Sequence, residues 1–155
     1  MAGFDRAVER AGASATTDEG TMKPTLAAGL EVTKSVTVDR ERTIDFMGEE
    51  ARVYATPMLV RDIEMTCREL LLAHLDPGED SVGTRVEIDH LAPTLLGMAV
   101  ELRVRVTAVD GRAVSFEVEG LDPVERICRA KHARFVVDVA RTTQRLAAKA
   151  QKSAA

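Results

Sequence analysis

One stretch of this chain carries helical periodicity, and nearly everything after it alternates like strand. From Pro57 to about Leu75, Leu59, Val60, Ile63, Thr66, Cys67, Leu70, Leu71 and His74 fall on one wide face of a helix. Arg61, Asp62, Met65, Arg68, Glu69 and Leu72 occupy the other face. Thr56-Pro57 reads as an N-cap followed by proline at the first helical position, where its missing N–H removes no bond. Asp76-Pro77-Gly78 stops the helix. Beyond it lie strand-like runs over Ser81–His90, Leu96–Val109, Arg112–Gly120 and Val124–Val139, with turns at Asp110-Gly111 and Leu121-Asp122-Pro123. Ahead of it, Leu30, Val32, Val36 and Val38 alternate as one more strand. One long helix and a set of meandering strands predict an α+β architecture, with an antiparallel sheet packed on a single helix.

The chain of 155 residues has room for one domain with an ordinary core. A hydrophobic share of 45% and a charged share of 30% are those of a water-soluble globular protein. A net charge of -4 with both signs interspersed offers no basic surface to nucleic acid, and aromatics at 3% offer no base-stacking platform. Apolar runs are too short to span a bilayer, and no secretory segment opens the chain, so a cytoplasmic location is expected. Cys67 and Cys128 form no metal or redox spacing and read as reduced, buried thiols; no metal site is expected. Residues 1–28 read as a flexible leader, with at most a short helix around Phe4–Ala11. Residues 29–141 read as the domain and residues 142–155 as a tail, helix-prone at first and then fraying.

Three reactive side-chain types stand at three distinct places. Thr56 opens the helix, Glu64 sits two turns on at the edge of the apolar face, and His90 ends the strand after it. A hydroxyl, a carboxylate and an imidazole are the parts needed to activate water or a nucleophile against a carbonyl. Thr56 is also an ordinary cap, and Glu64 can equally pair with Arg61 or Arg68 at helical spacing. Strict alternation puts Val82, Thr84, Val86, Ile88 and His90 on one strand face. Gly83 interrupts that strand, which often marks close approach of a backbone or ligand.

The segments ATPMLVRDIE, DPGEDSVGTRVEIDHLAPTLLGM, AVDGRAVSFEVE and KHARFVV together resemble the fluoroacetyl-CoA thioesterase-like branch of the hot-dog thioesterases, over about Gly29 to Arg141. The resemblance implies a hot-dog fold, a sheet wrapped around one central helix, in a homodimer or dimer of dimers. It implies Thr56, Glu64 and His90 as catalytic residues, with Gly83 near the reacting carbonyl. His132 and Arg134 match the family's late histidine-x-arginine element. The chain departs from the family at Cys128 and Lys131, where glycine and threonine are usual, and at Ala133, where an acidic residue is usual. Asp39–Ala55 is short for the lid of the fluoroacetyl-specific enzyme, so that selectivity is not carried over.

The expected activity is hydrolysis of a small or medium acyl-CoA thioester, with coenzyme A entering as part of the substrate and no separate cofactor. Glu64 and His90 would activate water, or assist Thr56 as a transient nucleophile. Gly83 N–H and the helix N-terminus would hold the oxyanion, and Arg134 would steer the nucleotide phosphates or order the cleft. Two rivals differ in class: a non-catalytic acyl-CoA binding protein, and an enoyl-CoA hydratase using an aspartate–histidine pair such as Asp89-His90.

Overall fold

The computed structural model describes residues 22–155. Strand β1 (Glu31–Thr37) leads into a strap of two short 3-10 turns, Arg40–Arg42 and Glu49–Ala51, and two two-residue strands, β2 (Thr43–Ile44) and β3 (Val53–Tyr54). Helix α1 (Thr56–Leu72) follows. Strands β4 (Glu79–His90), β5 (Ala99–Asp110), β6 (Ala113–Leu121) and β7 (Arg126–Asp138) come next, and helix α2 (Val139–Ala154) closes the chain. The large sheet has the order β1-β5-β6-β7-β4, antiparallel throughout, and its inner face packs on α1. This is the helix-and-sheet arrangement expected from the periodicity.

Alternation explains the two faces of the sheet. Val100, Leu102, Val104 and Val106 of β5 point inward with Val114, Phe116 and Val118 of β6. They meet Leu59, Ile63, Cys67 and Leu71 of α1, all fully buried. Each large aliphatic side chain buried in this way contributes about 1.5–3 kcal/mol. The outward residues form rows of alternating sign across the strands. One row runs Glu31, Arg105, Glu117, Lys131, Glu87, and the next has Arg103, Glu119, Arg129 and Asp89 beyond Thr33. Opposite charges on neighbouring strands are mutually favourable.

Several expectations are corrected. Met22 and Leu26, assigned to the flexible leader, are buried in the core, and the Lys23 N–H donates to the His74 carbonyl. The packed domain therefore includes residues 22–28; the rest of that leader, with the helix around Phe4–Ala11, lies outside the described residues. The C-terminal tail is helical to Ala154 rather than fraying, capped by the Asp138 carboxylate accepting from the Arg141 N–H. Asp62, placed on the polar face, is buried, because Arg42 and Tyr54 satisfy its carboxylate. No helix among the described residues is long and apolar enough to cross a membrane.

A bulge decides the orientation of β4. Gly83 pairs with Arg134 and Arg85 with Ala133, which leaves Thr84 as an extra residue. One inserted residue flips the inward–outward phase. Val82 is therefore exposed while Ser81 is buried, and downstream Val86, Ile88 and His90 turn toward the helix. The single face expected for Val82, Thr84, Val86, Ile88 and His90 is thus broken at Thr84. Gly83 and His90 are seven residues apart and would face opposite ways in a regular strand; the bulge puts both on the helix side.

Candidate active site

Thr56 is the first residue of α1, with Ala55 at the N-cap position and Pro57 second in the helix. No side chain caps this end. The expectation that the Thr56 hydroxyl caps the helix is therefore wrong. Its Oγ1 lies 2.7 Å from His90 Nδ1 instead. The two meet because the strand after the helix runs back along it and ends beside its N-terminus. The Thr56 side chain is solvent-exposed, whereas His90 is half-buried, and burial lowers its pKa below the ordinary 6.5. The imidazole is thus held neutral, the form in which a ring nitrogen accepts a proton. His90 Nε2 is buried and has no hydrogen-bond partner among the described residues.

Glu64 belongs to a second cluster. It lies eight residues beyond Thr56, about 12 Å along the helix axis. It faces Gly83, where an added Cβ would stand 3.1 Å from Glu64 Oε1, 3.3 Å from His132 Cε1 and 3.4 Å from Arg134 Nη1. The missing side chain of Gly83 is what leaves room for these three groups. Glu64 makes no ion pair with Arg61 or Arg68; the Arg68 guanidinium binds the Asp80 carboxylate at 2.7 and 2.9 Å.

His132 and Arg134 point inward from β7 and are only 2% and 6% exposed. Arg134 Nε donates to Ser81 Oγ at 2.7 Å, Nη2 to the Ser81 carbonyl at 2.8 Å, and Nη1 to His132 Nε2 at 3.2 Å. His132 Nδ1 donates to the Arg85 carbonyl at 2.7 Å, on the flank of the bulge. This pattern fixes the ring as the neutral Nδ1–H tautomer. Its pKa is lowered, first by burial and then by the neighbouring Arg134 cation, against the raising effect of the Arg85 carbonyl. Burial also lowers the Arg134 pKa, and the Glu64 carboxylate opposes that. Arg134 is therefore enclosed, with its guanidinium bonded to Ser81 and His132. Ser81 was not singled out from the sequence, although it stands two residues before Gly83 and so shares its face.

Both thiols are free and buried. Burial raises the pKa of Cys67 to about 12 and that of Cys128 to about 11, so both stay protonated. Asp89 points outward and accepts from Arg129 Nε at 2.9 Å, so it makes no pair with His90. A broad depression on the outer sheet face, lined by residues such as Glu31, Arg103, Glu117 and Lys131, has no histidine in its lining. It is the surface of paired charges described above. Among the described residues, no three His, Cys, Asp or Glu side chains are grouped to hold a metal ion.

Helix, bulged strand and inward histidines thus give a hydroxyl–imidazole pair at one end of the helix and a carboxylate facing a glycine two turns away. The family of FlK, the fluoroacetyl-CoA-specific thioesterase, matches over residues 38–140. The chain belongs to this family. It is a thioester hydrolase acting on acyl-CoA. The fluoroacetyl-CoA thioesterase of Streptantibioticus cattleyicolor is 29% identical over 123 residues, covering 75% of this chain and 88% of that protein. An FlK variant crystallised with fluoroacetate and CoA superposes with a TM-score of 0.70 at 27% identity, over 76% of this chain and 99% of its own. A hot-dog-like protein from Thermanaerovibrio acidaminovorans gives a TM-score of 0.73 at 26% identity, over 79% and 91%. The fold is the hot-dog fold.

Proposed function

We propose that Thr56 and His90 carry the hydrolysis, and that Glu64 of a second copy of the chain completes the site. The observation that carries this reading is the 2.7 Å contact between Thr56 Oγ1 and His90 Nδ1, made by a hydroxyl that has no capping duty. His90 takes the hydroxyl proton on Nδ1 as Oγ1 attacks the thioester carbonyl, and the tetrahedral intermediate expels CoA as the thiol once that proton is passed on. Water, deprotonated in turn by His90, releases the free acid from the acyl-threonine. If Thr56 only orients the ring, His90 activates water directly, and the acyl-enzyme is absent.

With Nδ1 accepting from threonine, Nε2 carries the proton, and a buried N–H without a partner calls for one. A carboxylate there would orient the ring and stabilise the imidazolium. Glu64 of the same chain is about two helical turns away. The free edge of β4 supplies the alternative. It is a 12-residue edge strand, and an antiparallel pairing of two such edges brings the His90 end of one copy beside the Gly83 end of the other. Glu64 and Gly83 of the partner subunit would then face Thr56 and His90, with the Gly83 N–H and the N-terminus of α1 at the oxyanion. His132 and Arg134 hold the glycine side of this cleft. The substrate is a small or medium acyl-CoA thioester, CoA being part of it, and no separate cofactor is used.

Release of free thiol from acyl-CoA by Thr56→Ala, His90→Ala and Glu64→Gln tests the roles, and mixing tests the shared site. Each single variant should be nearly inactive. When Glu64→Gln and His90→Ala chains are exchanged, half of the dimers are mixed, and each has one intact site. Activity should return to about a quarter of the unmodified level. Mixed chains that stay inactive would show that each site lies within one chain. Single variants that turn over normally would refute the site altogether.

A further inference from the structure

Tyr54 and Asp62 are buried, hydrogen-bonded to each other, and outside the chemistry just described. We propose that they are positioning residues, which hold Thr56 against His90 by fixing the two backbone segments that carry them. This inference rests on Thr56 and His90 being the reacting pair.

Asp62 lies on α1, about one and two-thirds turns beyond Thr56, and is 7% exposed. It accepts the Tyr54 hydroxyl proton on Oδ2, Arg42 Nε on the same oxygen at 2.8 Å, and Arg42 Nη2 on Oδ1 at 3.0 Å. A carboxylate taken from water into an apolar setting needs such donors, so its geometry is tightly specified. Tyr54 is 2% exposed and stands two residues ahead of Thr56. Its backbone N–H donates to the Thr94 carbonyl at 2.8 Å, and Thr94 stands four residues beyond His90. Arg42 closes the arrangement from the other side: its carbonyl accepts the Ala55 N–H at 2.8 Å.

The residue before Thr56 is thus bonded to Arg42, and the one before that to the segment leaving His90. Both connections converge on one carboxylate of the helix that Thr56 begins. Thr94 is itself fully buried, and its hydroxyl donates to Asp122 Oδ2 at 3.1 Å, so the far end of the link is anchored too. Releasing the Tyr54 ring from Asp62 would let the β3 segment rotate, and Thr56 would move with it. A threonine–histidine contact of 2.7 Å does not survive a shift of even one ångström.

Tyr54→Phe removes only the hydroxyl and leaves Asp62 with both Arg42 bonds. The expected result is a folded protein whose kcat for thiol release falls about tenfold or more, with KM within about twofold. The 15N shifts of the His90 ring should move toward those of Thr56→Ala, a signature that loss of stability alone does not produce. Asp62→Ala, which removes the acceptor rather than the donor, carries the same expectation should the first variant fail to fold. A folded variant with kcat within twofold of the unmodified protein and unmoved His90 shifts overturns the proposal. If instead Thr56→Ala and His90→Ala retain full turnover, the reacting pair is wrong, and the His90 shifts in Tyr54→Phe still report on positioning.

Discussion

Replacing Gly83 with alanine isolates the glycine side of the cleft. Gly83 is not in the left-handed region, so alanine adopts its backbone without strain, and the effect comes from the methyl group alone. That methyl would stand 3.1 Å from Glu64 Oε1, 3.3 Å from His132 Cε1 and 3.4 Å from Arg134 Nη1. Two of these neighbours have little freedom. Arg134 is bonded to Ser81 at 2.7 and 2.8 Å, and His132 to the Arg85 carbonyl at 2.7 Å. Glu64 is the one that gives way, by a few tenths of an ångström. For stability, the reduced freedom of the unfolded chain favours alanine by about 0.4–1 kcal/mol, and the tight contacts oppose it by a similar amount. The melting temperature should therefore change by less than about 5 °C. For catalysis, a displaced carboxylate beside the reacting carbonyl should lower kcat/KM by about 10–100-fold, or roughly 1.4–2.7 kcal/mol. Thiol release from acyl-CoA and a thermal melt measure the two quantities on the same sample. Full activity in a folded Gly83→Ala protein refutes the idea that this cluster borders the reaction.

Two further outcomes are expected. The His90 and His132 pKa values are both lowered, so below about pH 6.5 the unfolded chain binds more protons than the folded one. Their contribution to stability is full above that pH and declines as pH falls from about 6.5 through the folded pKa values; the acid limb of kcat should likewise fall below 6.5. Urea melts and rate profiles between pH 8 and 5 check this, and a stability that rises on acidification in that window contradicts it. Gly120→Ala should destabilise by about 1–3 kcal/mol, because its Cβ would lie 2.6 Å from the fully buried Cys128 Sγ. Adding Cys128→Ala makes room and should recover much of the loss, so a double-mutant cycle with purely additive effects would count against that clash.

Much of the fold was legible because it rests on local rules. Apolar spacing of three and four marked α1, Pro57 and Pro77-Gly78 bounded it, and alternation marked the strands. The segments around Thr56, Glu64, Gly83 and His90 also sufficed to indicate the family. The fold of the strap over residues 39–55 was not legible, since its order comes from partners far along the chain. Arg42 binds Asp62, and Tyr54 binds Asp62 and Thr94. A helical projection assigned Asp62 to water for the same reason: it counts apolar neighbours on one helix and knows nothing of a guanidinium arriving from another segment.

The sequence by itself determined which residues have reactive side chains and which elements carry them. Tertiary structure decided which of them meet. The bulge at Thr84 is a single extra residue with no strong local signature, yet it turns both Gly83 and His90 toward the helix. Strand return brings His90 to Thr56 across 34 residues, while helix rise alone keeps Glu64 two turns away. Local periodicity is written in the order of side chains. Contact between distant segments depends on register and packing, which are fixed only when the whole sheet closes on its helix.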